Sequence, residues 1–370
     1  MLQKYFEKLT DVRQEAKVRH NLLEIVVMAI CAVIIGCEFW YQIEEYCKHQ
    51  EDWFRKKLGL KLKYGVASHD TFQRIFASIK PKEFERFFTR WVRSICKQTD
   101  GEIVSIDGKT IRASRDADDP PLHLVNAWAN KNRLVLGQER TEDKSNEITA
   151  IPNLLDVLEL EGCVITIDAM GTQKDIAKKI AEKNDYVLAL KGNQTNLHRD
   201  VYTYFEETLA DETLYFEGNL LKTAEKSHGR IEKRAYYLST DIDWLESKDE
   251  WKGLQAIGAV WSETERNGKL CSEQRYYLTT LTDVNSFAEA ARAHWGVENS
   301  LHWCLDVTFN EDRCRSRKGN TAENFAVIRK VVLNILKNYP TEKPTTLNAK
   351  RLRCQFNFDF LADVLLSVFT

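Results

Sequence analysis

The sequence lacks the cysteine patterns that mark zinc ribbons and disulfide-stapled folds. Its nine cysteines are an odd number and lie singly, with no pair at C-x-x-C spacing. The N-terminus, MLQKYFEKLTDVRQE, also lacks the apolar stretch of a secretory signal peptide. We therefore expect free thiols in a reducing compartment and a cytoplasmic protein.

A hydrophobic run long enough to cross a membrane is also missing. The stretch 25–37 has only 13 residues and is bounded by Glu24 and Glu38, whereas a spanning helix needs roughly 20. This length predicts a buried core helix, and no membrane partner is expected.

The chain has almost no net charge. Its 53 Lys and Arg oppose 55 Asp and Glu, so the whole chain is not typical of a nucleic-acid-binding protein. The charge is uneven, however: residues 1–100 carry +5, residues 101–290 carry −11 and residues 291–370 carry +4. The acidic centre is either a solvated surface or a carboxylate metal site between surfaces that hold a polyanion.

Hydrophobic periodicity divides the chain near residue 100. Residues 1–100 show helical spacing and predict an all-α domain, which is either a DNA-binding bundle or a plain helical domain. Beyond it, short β-branched runs alternate with helices, which predicts an α/β fold with a mixed sheet covered by helices. A strand-rich block at about 211–284 reads as an insertion before predicted helices at 286–305 and 320–338.

Two aspartates end predicted strands. Asp107 follows Ile103–Ile106, and Asp168 follows a second apolar run at 163–167. If the two strands are neighbours, their carboxylates can share a divalent cation, and hard oxygen ligands suit Mg²⁺. The alternative is that each Asp caps the turn that follows it.

A third acid, Glu298, lies on a predicted helix between His294 and His302, and four-residue spacing puts all three on one face. These three side chains are a weak candidate for zinc, because neither an H-E-x-x-H pattern nor a nearby cysteine ligand accompanies them. Alternatively, Glu298 completes a three-carboxylate site with Asp107 and Asp168, in the order of ribonuclease-H-like nucleotidyl transferases. Three later acids are alternative ligands or surface and capping groups: Asp306, Glu311 and Asp312.

At these residues the sequence resembles the DDE transposases of the ISAs-type insertion sequences, the group that includes the H-repeat-associated proteins. The resemblance spans the catalytic half and one N-terminal stretch. The motifs are SHDTFQRIF (68–76), SIDGKTIRAS (105–114), KSNEITAIPNLLDVLEL (144–160), TIDAMGTQ (166–173), YVLALKGNQ (186–194), HGRIEKR (228–234) and HWGVENSLHWCLDVTFNEDRCR (294–315).

The resemblance implies a ribonuclease-H-like catalytic domain over 101–370, behind a helical DNA-binding domain over 1–100. It implies that Asp107, Asp168 and Glu298 are the catalytic acids and metal ligands, with Mg²⁺ as cofactor and Mn²⁺ as its substitute. Related groups also carry a Tyr and an Arg before this Glu and a Lys after it. Here Arg292 is a counterpart of the Arg, and the Tyr and the Lys have no clear match.

Cations near these acids are expected to hold the DNA backbone through salt-dependent contacts. For each of them an ordinary solvated charge is the alternative. The predicted DNA-binding residues are Lys109, Arg112, Lys191, His228 and Arg230, together with the cluster Arg313, Arg315, Arg317 and Lys318.

The implied function is metal-dependent DNA cleavage and strand transfer at the ends of an insertion sequence. The implied partners are double-stranded DNA, as terminal inverted repeats and target, and a second copy of the chain in the DNA complex. Association with the nucleoid would follow. Two alternatives are a catalytically inactive relative that only binds DNA and a metal-dependent nuclease without strand transfer.

Overall fold

The computed structural model describes residues 2–96, 101–115, 120–141, 147–210, 219–227, 230–266 and 268–369. As predicted, the part before residue 97 is helical. Its described α-helices are α1 (Leu2–Phe6), α2 (Leu22–Ile35), α3 (Trp40–His49), α4 (Glu51–Leu58), α5 (His69–Ser78) and α6 (Pro81–Ile95).

The apolar helix α2 is the centre of this region. The Asn21 side chain accepts a hydrogen bond from the Glu24 N–H at its start, and Gly36 ends it with a φ of 108°. Residues 25–34 are buried on every face, as a core helix requires. No single described helix is both long and apolar enough to cross a membrane; α2 and α3 pass that test only as a pair bent by 98°.

The described strands form one mixed sheet of nine, in the order β3-β2-β1-β4-β5-β9-β8-β7-β6. Strands β1, β4 and β5 are parallel neighbours, and every other pairing is antiparallel. The strands are β1 (Ile103–Thr110), β2 (His123–Ala129), β3 (Leu134–Thr141), β4 (Val164–Ile167), β5 (Asp185–Leu190), β6 (Leu220–Ser227), β7 (Arg230–Ser239), β8 (Ala256–Arg266) and β9 (Lys269–Thr279).

The predicted insertion extends this sheet instead of forming a separate one. Strand β9 pairs with β5, from Val187 opposite Thr279 to Leu190 opposite Tyr276, and β8, β7 and β6 follow outward. The first five strands in chain order therefore make the ribonuclease-H-like half, and β6 to β9 continue it at one edge. The fold class predicted from the sequence is confirmed.

Helices lie between the strands and after the last of them, and several pack against the sheet. They are α7 (Glu147–Leu158), α8 (Lys174–Ile180), α9 (Thr195–Ala210), α10 (Val284–Ala293), α11 (Trp303–Val307), α12 (Thr321–Asn338), α13 (Leu347–Phe356) and α14 (Phe358–Phe369). Helix α12 packs against α2, α5, α6 and β3, so one hydrophobic core runs from the N-terminal helices into the sheet. The domain division at residue 100 stays a prediction.

A buried polar chain crosses the junction between α6, β3 and α12. The Gln138 Nε2 donates to Glu85 Oε1 at 2.5 Å, and Lys330 Nζ donates to Gln138 Oε1. Burial first, and the Glu323 carboxylate second, raise the pKa of Glu85 from 4.5 to about 8. The carboxyl is therefore neutral at neutral pH in the folded chain and ionised in the unfolded chain.

Replacement of Glu85 by Gln tests this assignment. Between about pH 5 and pH 8 the folded wild type binds a proton that the unfolded chain releases, so wild-type stability falls with rising pH by on the order of 1 kcal/mol per unit. The Glu85→Gln variant loses this component, which is measurable as the difference in melting temperature across that range. Parallel pH profiles of the two proteins would contradict the raised pKa.

Candidate active site

The parallel pairing of β1 with β4 places two aspartates side by side. Ile106 is the register partner of Ile167. Asp107 and Asp168 are the next residues after this pair, so they lie side by side. Strand β1 continues beyond this point in its pairing with β2, where Asp107 lies opposite Asn126. The sheet thus brings together the two acids that ended predicted strands.

Each aspartate also caps the backbone that follows it. Asp107 Oδ1 accepts the Gly108 N–H at 2.9 Å, and Asp168 Oδ1 accepts the N–H groups of Met170 and Gly171 at 3.1 and 3.3 Å. The two interpretations of these acids are therefore compatible. Capping uses Oδ1 of each carboxylate and fixes its direction.

Asp107 lies in a strongly negative, water-poor environment, with 17% of its side chain exposed. Burial first, and then the charges of Asp168, Glu147 and Glu298, raise the pKa of Asp107 to about 8. The structure therefore places Glu298 within electrostatic reach of the two aspartates. It also adds Glu147, which belongs to one of the sequence motifs but was not predicted as a site residue.

The helix predicted over 286–305 is present but irregular, because it contains a π-helical segment. Helix α10 ends at Ala293, residues Val297–His302 form a π-helical turn, and α11 follows. The π-helical turn changes the angle between successive side chains, yet His302 still reaches the site, with its Nδ1 3.5 Å from Asp107 Oδ2. Glu298 is exposed on this turn, at the point where the helix passes the sheet.

A hydrogen-bonded chain under the site fixes the turn to the sheet. The His294 Nδ1 lies 2.9 Å from Thr166 Oγ1, and the Thr166 hydroxyl donates to Ser105 Oγ at 3.0 Å. Burial lowers the pKa of His294 to about 4, so its ring is neutral at neutral pH. His294 therefore contacts β4 directly and β1 only through the Thr166 hydroxyl.

The turn approaches the sheet so closely that residue 296 must be glycine. A Cβ at Gly296 would lie 2.2 Å from Asn130 Oδ1. Asn130 cannot move away easily, since its Nδ2 donates to Ser105 Oγ at 2.9 Å and to the Ile103 carbonyl at 3.1 Å. Gly296 therefore sets the distance between Glu298 and the aspartates.

A second buried pair supports β1 from the other side. His123 Nε2 lies 2.6 Å from Glu147 Oε1, and its Nδ1 lies 2.8 Å from Thr110 Oγ1. Both side chains are almost fully buried. A Cβ at Gly108 would collide with both of them, so the glycine after Asp107 makes room for this pair.

A cavity of about 220 Å³ adjoins Glu298 on the insertion side. Trp295 lies in its wall, with the Arg275 guanidinium 4.1 Å from its ring centroid. Arg234 is 7% exposed, and its Nη1 makes no hydrogen bond within the described part of the chain. Four arginines line the cavity: Arg230, Arg234, Arg275 and Arg292.

Of these arginines, Arg230 was predicted to bind DNA, and Arg292 was noted as a counterpart of a family arginine. The others were missed, because only the hairpin register between β7, β8 and β9 brings them to the same wall. Glutamates neutralise part of this charge: Glu225 lies 3.0 Å from Arg292, and Glu273 lies 2.8 Å from Arg275.

Two other predicted DNA-binding residues, Lys109 and Arg112, differ in how far they are exposed. Lys109 is only 7% exposed, and its Nζ lies 2.6 Å from Asp306 Oδ1 and 3.2 Å from Asp312 Oδ1. This buried pairing gives Asp306 and Asp312 a structural partner, and the DNA contact of Lys109 stays a prediction. Arg112 is 85% exposed, with its Nε 3.4 Å from Asp312.

The remaining predicted cations are on the surface or outside the described residues. Lys191 is exposed at the end of β5, and its charge reaches His294. Arg317 donates to the Ala113 carbonyl at 3.0 Å, which joins its segment to the chain after β1. Arg313, Arg315, Arg317 and Lys318 are all exposed. His228 lies outside the described residues.

The comparisons with known proteins agree with this architecture. Residues 98–335 match the family described as Transposase DDE domain, and residues 3–92 match the one described as DDE_Tnp_1-associated. The chain belongs to the DDE transposase family. The recognition of this family from the motifs is confirmed.

Two full-length relatives place the chain more narrowly. It is 41% identical to "Putative transposase YncI" of Escherichia coli O157:H7, over 98% of this chain and 94% of the relative. It is 39% identical to "H repeat-associated putative transposase YhhI" of Escherichia coli strain K12, over 98% and 97%. A solved piggyBac transposase synaptic complex with hairpin DNA aligns over 99% of this chain and 75% of its own, at 12% identity and a TM-score of 0.41.

The donor chemistry of this DDE site fits a hard divalent cation. Asp107, Asp168 and Glu298 offer carboxylate oxygens in a place where their own repulsion is unrelieved. Within the described ranges, no group of three or more His, Cys, Asp or Glu side chains is arranged to hold a metal ion.

Thermal melting measures whether the acids bind a cation. Because ionised Asp107 is disfavoured up to about pH 8, Asp107→Asn raises the melting temperature at neutral pH without metal. Added Mg²⁺ raises the melting temperature of the wild type by mass action and has little effect on this variant. Asp175→Asn, at an exposed position on α8, is the control and keeps the full response. Equal shifts in all three proteins would exclude Asp107 as a ligand.

The close approach at Gly296 has its own test. Gly296→Ala pushes the Glu298 turn from the sheet, and a displacement of about 1 Å lowers the rate of DNA cleavage on the order of 100-fold. A Cβ at Gly192 would meet nothing within 4 Å, so Gly192→Ala is the matched control. Adding Asn130→Ala to Gly296→Ala removes the collision and restores part of the rate. Wild-type cleavage by Gly296→Ala would show that the spacing is unimportant.

Proposed function

We propose that the chain is an insertion-sequence transposase that cleaves DNA at the ends of its element and joins the freed 3′ ends to target DNA. The observation that carries this proposal is the convergence of the charges of Asp168 and Glu298 on a half-buried Asp107 at the edge of the sheet. The family membership supports the same reaction class.

The acids are proposed to act together as metal ligands. Asp107, Asp168 and Glu298 would hold divalent ions, which would supply Lewis-acid activation of a water or a 3′-hydroxyl and charge stabilisation at the phosphodiester. The chain's own contribution is to fix the carboxylates through the turn hydrogen bonds and the His294 connection. We propose Mg²⁺ as the cofactor, with Mn²⁺ as its substitute, because all three donors are hard oxygens.

The arginine-lined cavity is proposed to hold DNA beside Glu298. Arg230, Arg275 and Arg292 project from β7, β9 and α10 toward one volume, where guanidinium groups can pair with phosphate oxygens. The exposed cluster from Arg313 to Lys318 and the exposed Lys191 supply further backbone contacts. These contacts position DNA and carry no base readout.

The partners and location follow from this reaction. We propose that the helices before residue 97 bind terminal inverted repeats, while target DNA enters at the acids. Synapsis of two ends calls for two copies of the chain in the DNA complex. Since the substrate is chromosomal DNA, we propose a cytoplasmic protein that associates with the nucleoid when it is bound to DNA.

Cleavage and joining by the purified protein test the proposal, with duplex DNA from the borders of the element and Mg²⁺. Asp107→Asn, Asp168→Asn and Glu298→Gln should each reduce both products to background and leave DNA binding intact. The controls Asp175→Asn and Glu342→Gln remove exposed acids elsewhere and should retain wild-type rates.

Each outcome selects one function. Activity that persists in an acid variant removes that residue from the site. Cleavage without joining favours the metal-dependent nuclease, and binding without cleavage by the wild type favours the inactive relative.

A further inference from the structure

A second basic cavity, of about 750 Å³, lies among the N-terminal helices. One wall is the segment 13–20 ahead of α2, and the other is the outer face of α5. None of the described residues that line it is acidic. We call this cavity the N-terminal groove; its cationic side chains are Arg13, Lys17, Arg19 and Arg74.

Arg13 has a structural role in the groove, and its positive charge is largely compensated by Asp11. Its Nε donates to Asp11 Oδ1 at 2.7 Å, and its Nη2 donates to the His20 carbonyl at 2.9 Å. The guanidinium therefore neutralises one acid and ties the two ends of the segment to each other. His20 also lines the groove, and burial lowers its pKa, so its ring is neutral at neutral pH.

Lys17, Arg19 and Arg74 supply the uncompensated charge. All three are exposed, and none forms an ion pair with a residue that the structure describes. The Arg74 Nη2 donates to Thr71 Oγ1 at 3.2 Å, and the Thr71 and Ser68 hydroxyls lie 3.1 Å apart. Three separate cations with hydroxyls between them suit a polymer of spaced phosphates better than one compact anion.

The groove is attached to the catalytic sheet through α12. Phe72, Ile75 and Phe76 bury the inner face of α5. The Asn324 Nδ2 of α12 donates to the carbonyls of Phe76 and Ile79 at 2.7 and 3.0 Å. Because α12 also packs on β3, a polymer in the groove has a defined position relative to the acids.

We propose that the N-terminal groove binds the backbone of double-stranded DNA, with Lys17, Arg19 and Arg74 each neutralising a phosphate. The inference rests on the proposed function and assigns residues for holding the duplex away from the cleavage site. The net charge of +5 on residues 1–100, in a chain of net −2, agrees with a polyanion at this place.

Binding of a short fluorescent duplex to the full chain at several salt concentrations tests the groove. The triple variant Lys17→Ala, Arg19→Ala, Arg74→Ala should bind more weakly, and the slope of log K against log salt should fall by about 2.7 in magnitude. The variant Lys17→Arg, Arg19→Lys, Arg74→Lys keeps the charges and should keep the slope. The matched control Lys178→Ala, Lys252→Ala, Lys343→Ala removes three exposed charges outside the groove and should also keep it.

The outcomes separate this inference from the proposed function. The melting temperature shows whether the triple variant is folded. If it is folded and its salt slope is unchanged, the groove does not bind DNA, even when the wild type cleaves DNA. A reduced slope supports the groove even when the wild type does not cleave. Tighter groove-dependent binding of polyglutamate than of duplex DNA would also overturn the proposal, because it would identify an acidic protein as the partner.

Discussion

The site depends on holding like charges together where water is scarce. Burial and three neighbouring carboxylates raise the pKa of Asp107 to about 8, so the ionised site works against folding. The parallel register of β1 with β4 sets the positions of both aspartates, and their backbone hydrogen bonds set the directions of the carboxylates. A core that is continuous from α2 to the sheet is what allows the fold to tolerate such a site, since functional sites commonly cost stability.

The same constraint explains the irregular helix above the sheet. Gly296 lets the chain lie against Asn130, and the π-helical turn begins at the next residue, Val297. The neutral His294 ties the end of α10 to Thr166. The chain from Asn130 through Ser105 and Thr166 to His294 therefore connects the strands that precede Asp107 and Asp168 with the helix that carries Glu298.

Local patterns were enough to predict the two strands that carry Asp107 and precede Asp168, and the burial of α2, because short apolar runs are typical of buried elements. The predicted end of the first strand at Asp107 was wrong, since β1 continues to Thr110 in its pairing with β2. The close approach of Gly296 to Asn130 could not be predicted, since the two residues are far apart in the sequence. Lys109 was predicted to contact DNA, and its ion pairs with Asp306 and Asp312 were missed because those acids lie about 200 residues away in the sequence. Glu147 carried a signal, its motif, but its reach to Asp107 needs the packing of α7 against the sheet.

The net charge of the whole chain does not indicate whether the protein binds DNA, because the charges are unevenly arranged in the fold. The antiparallel pairing of β5 with β9 carries the insertion to the edge of the catalytic sheet, so arginines from β7 and β9 face Glu298 although residues 101–290 have a net charge of −11. Glutamates beside these arginines offset much of that positive charge, and two of them, Glu232 and Glu273, line the cavity as well. A phosphate responds to the field within about a Debye length, roughly 8 Å. Local arrangements such as this cavity and the N-terminal groove, more than the sum over the chain, therefore decide whether DNA is held.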